Sequence, residues 1–172
     1  MYRLPTKVAQ PGVGLVIGAG GGCRAAIYAL QSLRTGKIYL FNGTRGGAQA
    51  LVDTFPDAKI VESLGSWSGS PPTIVISTVP TPATTTERNI KGSVYLPEPI
   101  FEARSGIVVD LTYKPAKTPL LSLTNAAGNG RQRVTGVEVL LEQGYVRFES
   151  WTGRRAPKKV VAEAVCRKFK SS

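Results

Sequence analysis

No histidine occurs anywhere in these 172 residues. That excludes imidazole general bases, imidazole metal ligands and the Ser-His-Asp arrangement. Cysteine is nearly absent as well. Cys23 and Cys166 are too few for a disulfide framework and have no C-x-x-C partner for zinc, so both are read as reduced thiols and no metal is expected. Long apolar runs are missing: no stretch approaches the roughly 18 residues of a spanning helix. Nor is Met1 followed by a charged and then apolar leader. The expectation is a soluble protein of the cytoplasm or nucleus, with no membrane partner.

Acidic residues are also scarce, 11 against 22 Lys and Arg, a formal charge of +11. Such an excess points to nucleic acid, an acidic partner, an anionic ligand or solubility alone. Its distribution is uneven. Residues 151–172 carry Arg154, Arg155, Lys158, Lys159, Arg167, Lys168 and Lys170 against Glu163, a net +6, which leaves +5 for the first 150 residues. No nucleic-acid recognition motif accompanies the basic run, so direct nucleic acid binding is disfavoured. With 42% apolar residues, the chain is large enough for one domain with a real core.

The order of elements predicts an α/β fold. Residues 13–18, Val-Gly-Leu-Val-Ile-Gly, are apolar without alternation, as in a strand buried on both faces of a parallel sheet. A glycine cluster follows. From Arg24 onward, Ala25, Ala26, Ala29, Leu30 and Leu33 share a helical face, with Gly36 at the stop. Lys37–Phe41 reads as a strand, Ala48–Phe55 as a helix closed by Pro56, and Lys59–Val61 and Thr73–Ser77 as short strands. Pro80–Pro99 lacks periodicity and reads as loop, with a short helix over Pro99–Arg104. Gly106–Leu111 is a strong strand, and Leu120–Ala127 a helix ended by Gly128.

Val137, Leu140, Leu141, Tyr145 and Phe148 then define an amphipathic helix running through Gly144. Pro157 opens a last helix with Val161, Val165 and Phe169 on one side and an i, i+4 Glu163–Arg167 pair on the other. Strands alternating with helices predict a doubly wound, mainly parallel, Rossmann-like sheet. The expected division is a lead-in over 1–12, the Rossmann-like domain over 13–153, and a basic C-terminal helix or tail over 154–172. Ligands in such sheets bind at the carboxyl ends of the strands.

Gly18-Ala19-Gly20-Gly21-Gly22-Cys23 lies between a predicted strand and a predicted helix, the context a dinucleotide-binding turn requires. Glycine permits the tight turn and lets backbone N–H groups approach a pyrophosphate, while the helix N-terminus adds partial positive charge. A glycine turn of this kind also serves simply to pack a helix on a strand. Cys23 stands where a third glycine is usual. The end of the second strand normally distinguishes the cofactor, an acid binding a ribose 2′-hydroxyl and a cation a 2′-phosphate. Here it reads Asn42-Gly43-Thr44-Arg45, with no acid, which disfavours NAD. Arg45 is either a phosphate ligand or an ordinary solvated arginine, on a loop that Gly46 and Gly47 leave slack.

In order along the chain stand Gly18-Ala19-Gly20-Gly21-x-x-Arg24-Ala25, Asn42-x-Thr44, Ile76-Ser77-Thr78-Val79-Pro80 and Asp110-Leu111-x-Tyr113-x-Pro115-x-x-Thr118-x-Leu120-Leu121. Gly136-Val137-Glu138-Val139-Leu140-x-x-Gln143-Gly144 and Phe148-x-x-Trp151-Thr152-Gly153 complete the set. Together they resemble the nucleotide-binding half of shikimate dehydrogenases. The flavour is fungal, similar to the dehydrogenase region of pentafunctional aromatic-pathway polypeptides and to the related quinate repressors, with Arg154-Arg155-Ala156-Pro157 beyond the tryptophan.

The resemblance implies that Gly18, Gly20, Gly21, Gly22 and Cys23 face a pyrophosphate and that Asn42, Thr44 and Arg45 face the adenosine ribose and its phosphate. It further implies that Thr78 and Val79 lie near the nicotinamide ribose and Gly136 near the nicotinamide ring. Tyr113 and Gln143 would point toward the hydroxyls of a shikimate-like or quinate-like ring. From the residues alone, Tyr113 also reads as an aromatic capping the core, and Gln143 as a solvent residue at a helix edge.

Two departures qualify the match. The family's lysine and aspartate belong to an N-terminal substrate domain, and only a dozen residues precede the first strand here. The expectation is that the chain lacks that domain, and with it an approximation effect worth about 7–11 kcal/mol. Second, Gly43 stands where NADP-selective members carry arginine, and a lost charge-assisted phosphate contact costs about 1.5–3 kcal/mol unless Arg45 replaces it. The expectation is NADP binding weakened or lost, no catalytic residues in this chain, and a regulatory module that senses a shikimate or quinate-type metabolite. The resemblance to repressors implies contact with a transcriptional activator protein. The alternative is the NADP-binding half of a shikimate or quinate dehydrogenase, an oxidoreductase.

Overall fold

A computed structural model describes residues 12–80, 84–85, 94–115, 117–128 and 130–170. The apolar run Val13–Ile17 forms strand β1, flanked in parallel by Lys37–Phe41 (β2) on one edge and Ile74–Ser77 (β4) on the other. A strand with neighbours on both edges and helices on both faces has no solvent side, hence its unbroken apolarity. Ala58–Val61 (β3) continues the sheet beyond β2. Ile107–Asp110 (β7) and Gln132–Val134 (β8) continue it beyond β4. The order β3-β2-β1-β4-β7-β8 is parallel throughout. This is the Rossmann arrangement. Two short strands, Thr84–Thr85 (β5) and Val94–Tyr95 (β6), pair with each other outside the main sheet.

Helices cover both faces. Gly21–Ser32 (α1) and Arg45–Thr54 (α2) bury Ile27, Leu30 and Leu51 against Val16, Ile38, Leu40 and Ile76. On the opposite face, Pro119–Ala126 (α3) and a 3-10 turn at Glu98–Phe101 bury Leu120, Leu121, Ile100 and Phe101 against Leu15, Ile17, Val75 and Val108. Alternate residues of β1 thus serve opposite cores, as the two-residue period of a strand requires. Gly136–Thr152 (α4) and Lys158–Lys170 (α5) complete the chain. A capping box fixes the start of α4: Thr135 accepts from the Glu138 N–H, and the Glu138 carboxylate accepts from the Thr135 N–H. Left-handed Gly153 ends the helix.

Several details differ from the sequence expectations. The buried stripe of α1 is Cys23, Ala26, Ile27 and Leu30, whereas Ala25, Ala29 and Leu33 face outward. The helix starts three residues earlier than expected, inside the glycine cluster, and the stripe is rotated toward Cys23. The expected helix at Pro99–Arg104 is a 3-10 turn, because i+3 bonds from Ile100 to the Pro97 carbonyl and from Glu102 to the Pro99 carbonyl close it. Strand β8 was not expected; three mostly exposed residues on a sheet edge carry no periodic signal. On α4, Leu141 and Tyr145 are buried, but Leu140 and Phe148 remain about two-fifths exposed, so the apolar stripe is only partly covered. Arg167 donates to the Glu163 backbone carbonyl. The expected lead-in, apart from Gly12, and the centre of the Pro80–Pro99 loop lie outside the described residues.

The base of the sheet is tied by backbone contact and one buried cation. Arg131 donates to the carbonyls of Pro72 and Ile100, and burial holds its guanidinium below the usual arginine range. Beside it, the Gly106 carbonyl accepts from the Gln132 N–H while the Thr73 carbonyl accepts from the Ile107 N–H. Gly106 has φ +136°, and a side-chain carbon there would strike the Thr73 carbonyl. Gly106→Ala should therefore destabilise the fold by about 2 kcal/mol or more. Urea unfolding of both proteins checks this, and superimposable curves would contradict it.

Candidate functional site

The glycine turn begins with the end of β1. Gly18 donates its N–H to the Phe41 carbonyl at 2.8 Å and adopts φ +107°. A Cβ at that position would lie 2.5 Å from Thr78 Oγ1 and 2.8 Å from a methyl of Val79. Glycine is therefore required twice over, by conformation and by contact. Gly22 meets the other wall, where an added Cβ would lie 2.8 Å from a Leu111 methyl. Between them, Gly20 and Gly21 have nothing within 4 Å of such a carbon, so the crest of the turn is open.

Helix α1 starts at this crest with no side-chain cap and no acid in its first turn. Its positive end is thus left for an anion. Cys23 is placed differently from its glycine neighbours. Its N–H bonds the Gly20 carbonyl, its thiol is fully buried in the core, and burial pushes the thiol pKa up to about 11 against the opposing pull of Arg24.

At the end of β2, Asn42 Nδ2 donates to the carbonyl and to the hydroxyl oxygen of Thr44, at 2.8 and 2.9 Å. This closes a tight turn that delivers Thr44 as the N-cap of α2 and Arg45 as its first residue. Like α1, α2 has no side-chain cap and no acid in its first turn. Gly47 touches Ala19 of the glycine turn, since an added Cβ would lie 3.4 Å from the alanine methyl. The two helix starts are therefore adjacent on one edge. Gly43 faces open space, with nothing within 4 Å. Arg45 is exposed and ion-paired with Glu62 at 3.4 Å. Glu62 follows β3 directly and was not singled out in the sequence, because the only signal is its register one residue beyond the Phe41–Val61 pair.

Beyond the glycine turn lies a cavity of about 400 Å³, lined by Thr78, Val79, Pro80, Leu111, Thr112, Tyr113 and Lys114. Hydroxyls set its walls. Thr78 donates to the Ile17 carbonyl at 3.0 Å, tying the ends of β4 and β1, and Thr112 donates to the Val79 carbonyl at 3.1 Å, tying the segments that leave β7 and β4. Buried Asp110 accepts from the Thr112 N–H at 3.0 Å. Burial raises its carboxyl pKa, and bonds from Thr112 and Thr118 partly offset that rise. The loop after β7 is thereby held in place by a carboxylate underneath it.

The remaining expected residues stand in different relations to this cavity. Gly136 is buried at the start of α4, pressed against the backbone of Leu111 and Thr112 so closely that no side chain fits. Tyr113 lines the cavity, is about half exposed, and meets the Phe169 ring of α5 edge-on with centroids 6.2 Å apart. The ammonium of Lys114 lies 5.7 Å from the same Phe169 ring. The basic last helix thus folds back to the rim of the cavity, a contact that its sequence does not announce. Gln143 is exposed on α4. Among the described residues no three His, Cys, Asp or Glu side chains gather as a metal site, and no helix is long and apolar enough to cross a membrane.

The C-terminal domain model of shikimate 5′-dehydrogenase matches residues 136–166, a span covering α4 and most of α5. The chain is 35% identical over 176 residues to the pentafunctional AROM polypeptide of Mycosarcoma maydis, covering 88% of this chain and 10% of that protein. To the quinate repressor protein of Emericella nidulans it is 31% identical over 186 residues, covering 96% of this chain and 20% of that protein. The chain therefore spans about a tenth to a fifth of the length of these curated relatives.

Among solved structures, the dehydroquinate dehydratase and shikimate dehydrogenase of S. pombe AroM superimposes with a TM-score of 0.72 at 32% identity, over 90% of this chain and 30% of that one. The Thermus thermophilus shikimate 5-dehydrogenase, solved with NADP(H) and shikimate, does so with a TM-score of 0.69 at 28% identity, over 91% of this chain and 55% of that one. By sequence and fold together, the chain belongs to the shikimate dehydrogenase family, as a counterpart of its C-terminal, nucleotide-binding region.

Proposed function

We propose that this chain is a dehydrogenase-like module that binds a nicotinamide dinucleotide and a shikimate or quinate-type metabolite, and that it serves regulation rather than turnover. The observation that carries the binding half of this reading is the continuity of the groove. Gly18 and Gly22 of the turn abut Thr78, Val79 and Leu111, and those same residues line the 400 Å³ cavity. A pyrophosphate over Gly20 and Gly21 would be held by the uncapped end of α1. Asn42, Thr44 and Arg45 would take the adenosine ribose, and Thr78, Val79 and Gly136 the nicotinamide end. The open crest of the turn fits such a group, because no side chain intrudes there. Such a cofactor, if bound, would donate a hydride in its reduced form or accept one in its oxidised form.

Chemistry on a carbonyl or hydroxyl also needs a proton partner held against the substrate. The cavity lining offers Tyr113 and Lys114 but no carboxylate to orient the lysine. Asp110, the nearby acid, is committed beneath the loop to Thr112 and Thr118. Tyr113 would contact a ring hydroxyl from the cavity wall, and Gln143 would do so from α4. The regulatory part of the proposal draws on the quinate repressor of Emericella nidulans, which aligns with 96% of this chain. In this reading the chain signals through contact with an activator protein. The similarity to AROM polypeptides favours a second reading, the NADP-binding half of an oxidoreductase.

Turnover separates the two. Mixed with NADP and shikimate at micromolar protein, the chain should give no NADPH absorbance above background, and steady production would establish the oxidoreductase reading. A loop variant tests the cofactor assignment. Since Gly43 faces open space, Gly43→Arg places a guanidinium beside Arg45 without a clash. Calorimetric titration should show NADPH bound about tenfold more tightly or better, with NADH little changed. Equal responses to the two nucleotides would contradict the placement of the 2′-phosphate at this loop.

A further inference from the structure

The acid that the end of β2 lacks is supplied from the next strand. Residues 42–47 contain no carboxylate, yet β2 and β3 run parallel in register, Phe41 beside Val61, and this brings the first residue after β3 to the same edge. That residue is Glu62, whose carboxylate oxygen lies 3.4 Å from a guanidinium nitrogen of Arg45. Around the pair the loop is bare: Gly43 and Gly46 each have nothing within 4 Å of an added Cβ. Arg45 is the cation that the first turn of α2 presents at this edge, and it already has a counter-ion.

From this juxtaposition we infer that Glu62 is a specificity-determining residue of the nucleotide groove, disfavouring a 2′-phosphorylated adenosine ribose and tolerating an unphosphorylated one. The inference rests on the nucleotide-binding reading above. A 2′-phosphate that reached Arg45 would have to displace the Glu62 carboxylate or lie against it, placing like charges within a few ångströms. A ribose 2′-hydroxyl imposes neither cost, and it is a donor that a carboxylate accepts. The sequence motif at β2 thus reads as neutral to basic, while the folded edge is a balanced ion pair.

Both partners are well exposed, so the effect is moderate. Glu62→Gln keeps the size of the side chain and removes its charge. Calorimetric titration of the whole chain with NADPH, NADH, 2′,5′-ADP and 5′-AMP should show NADPH and 2′,5′-ADP bound about three- to tenfold more tightly by Glu62→Gln than by the parent, with NADH and 5′-AMP changed less than about twofold. In the Glu62→Gln, Arg45→Ala double variant that gain should vanish, because the phosphate then finds no freed cation.

If the nucleotides bind but Glu62→Gln shifts phosphorylated and unphosphorylated ligands alike, or shifts neither, the role of Glu62 is overturned while the groove assignment stands. If the gain persists without Arg45, the ion pair is not its cause and the inference fails. If none of the four ligands binds parent or variants, the groove assignment fails and takes this inference with it.

Discussion

The pairing of β1 with β2 on one side and β4 on the other is the constraint from which the site follows. Successive strands leave β1 in opposite directions, β2 and β3 one way and β4, β7 and β8 the other. The carboxyl ends of β1 and β4 are therefore the place where the connecting segments diverge, and a crevice opens there that no helix among the described residues fills. Short-range contacts set the shape of this crevice. Gly18 packs against Thr78 and Val79, the Thr78 hydroxyl bonds the Ile17 carbonyl, and Thr112 bonds the Val79 carbonyl. Each joins the ends of neighbouring strands and so ties the cavity wall to the sheet beneath it.

Polarity along this edge changes in steps. At the glycine turn it is set by the backbone alone, since α1 begins uncapped and the residues at the crest lack side chains. At the β2 end it is set by an ion pair, Arg45 with Glu62. At the cavity it is set by hydroxyls, by Tyr113 and by Lys114, with Asp110 buried underneath. An elongated ligand with an anionic middle, a sugar at one end and a ring at the other matches that sequence of environments. The C-terminal helix reaches this edge as well, because α5 packs Phe169 against Tyr113, which lines the cavity.

The α/β order, the glycine turn and most strands were legible because they rest on local patterns. Val13–Ile17 is apolar without alternation, and Gly18–Gly22 stands where a strand meets a helix. What escaped the sequence depends on geometry between distant segments. The burial of Cys23 follows from α1 starting inside the glycine cluster, which rotates the helix. Strand β8 is defined by its neighbour, since Gln132–Val134 have no apolar rhythm of their own. Glu62 meets Arg45 only through the register of β2 and β3. The contact of Phe169 with Tyr113 joins residues 56 positions apart, and no periodicity in either segment encodes it.

The central claim, that the glycine turn and the cavity beside it form one nucleotide groove, is tested most directly by amide chemical-shift mapping of the isotopically labelled chain during titration with NADPH. The account predicts saturable shifts confined to Gly20–Gly22, the 42–45 turn, Thr78–Val79, Leu111–Tyr113 and Gly136, with the amides of α3 and the Gly106 region unmoved. Absence of shifts at saturating nucleotide, or shifts centred on the exposed faces of α4 and α5, would contradict it.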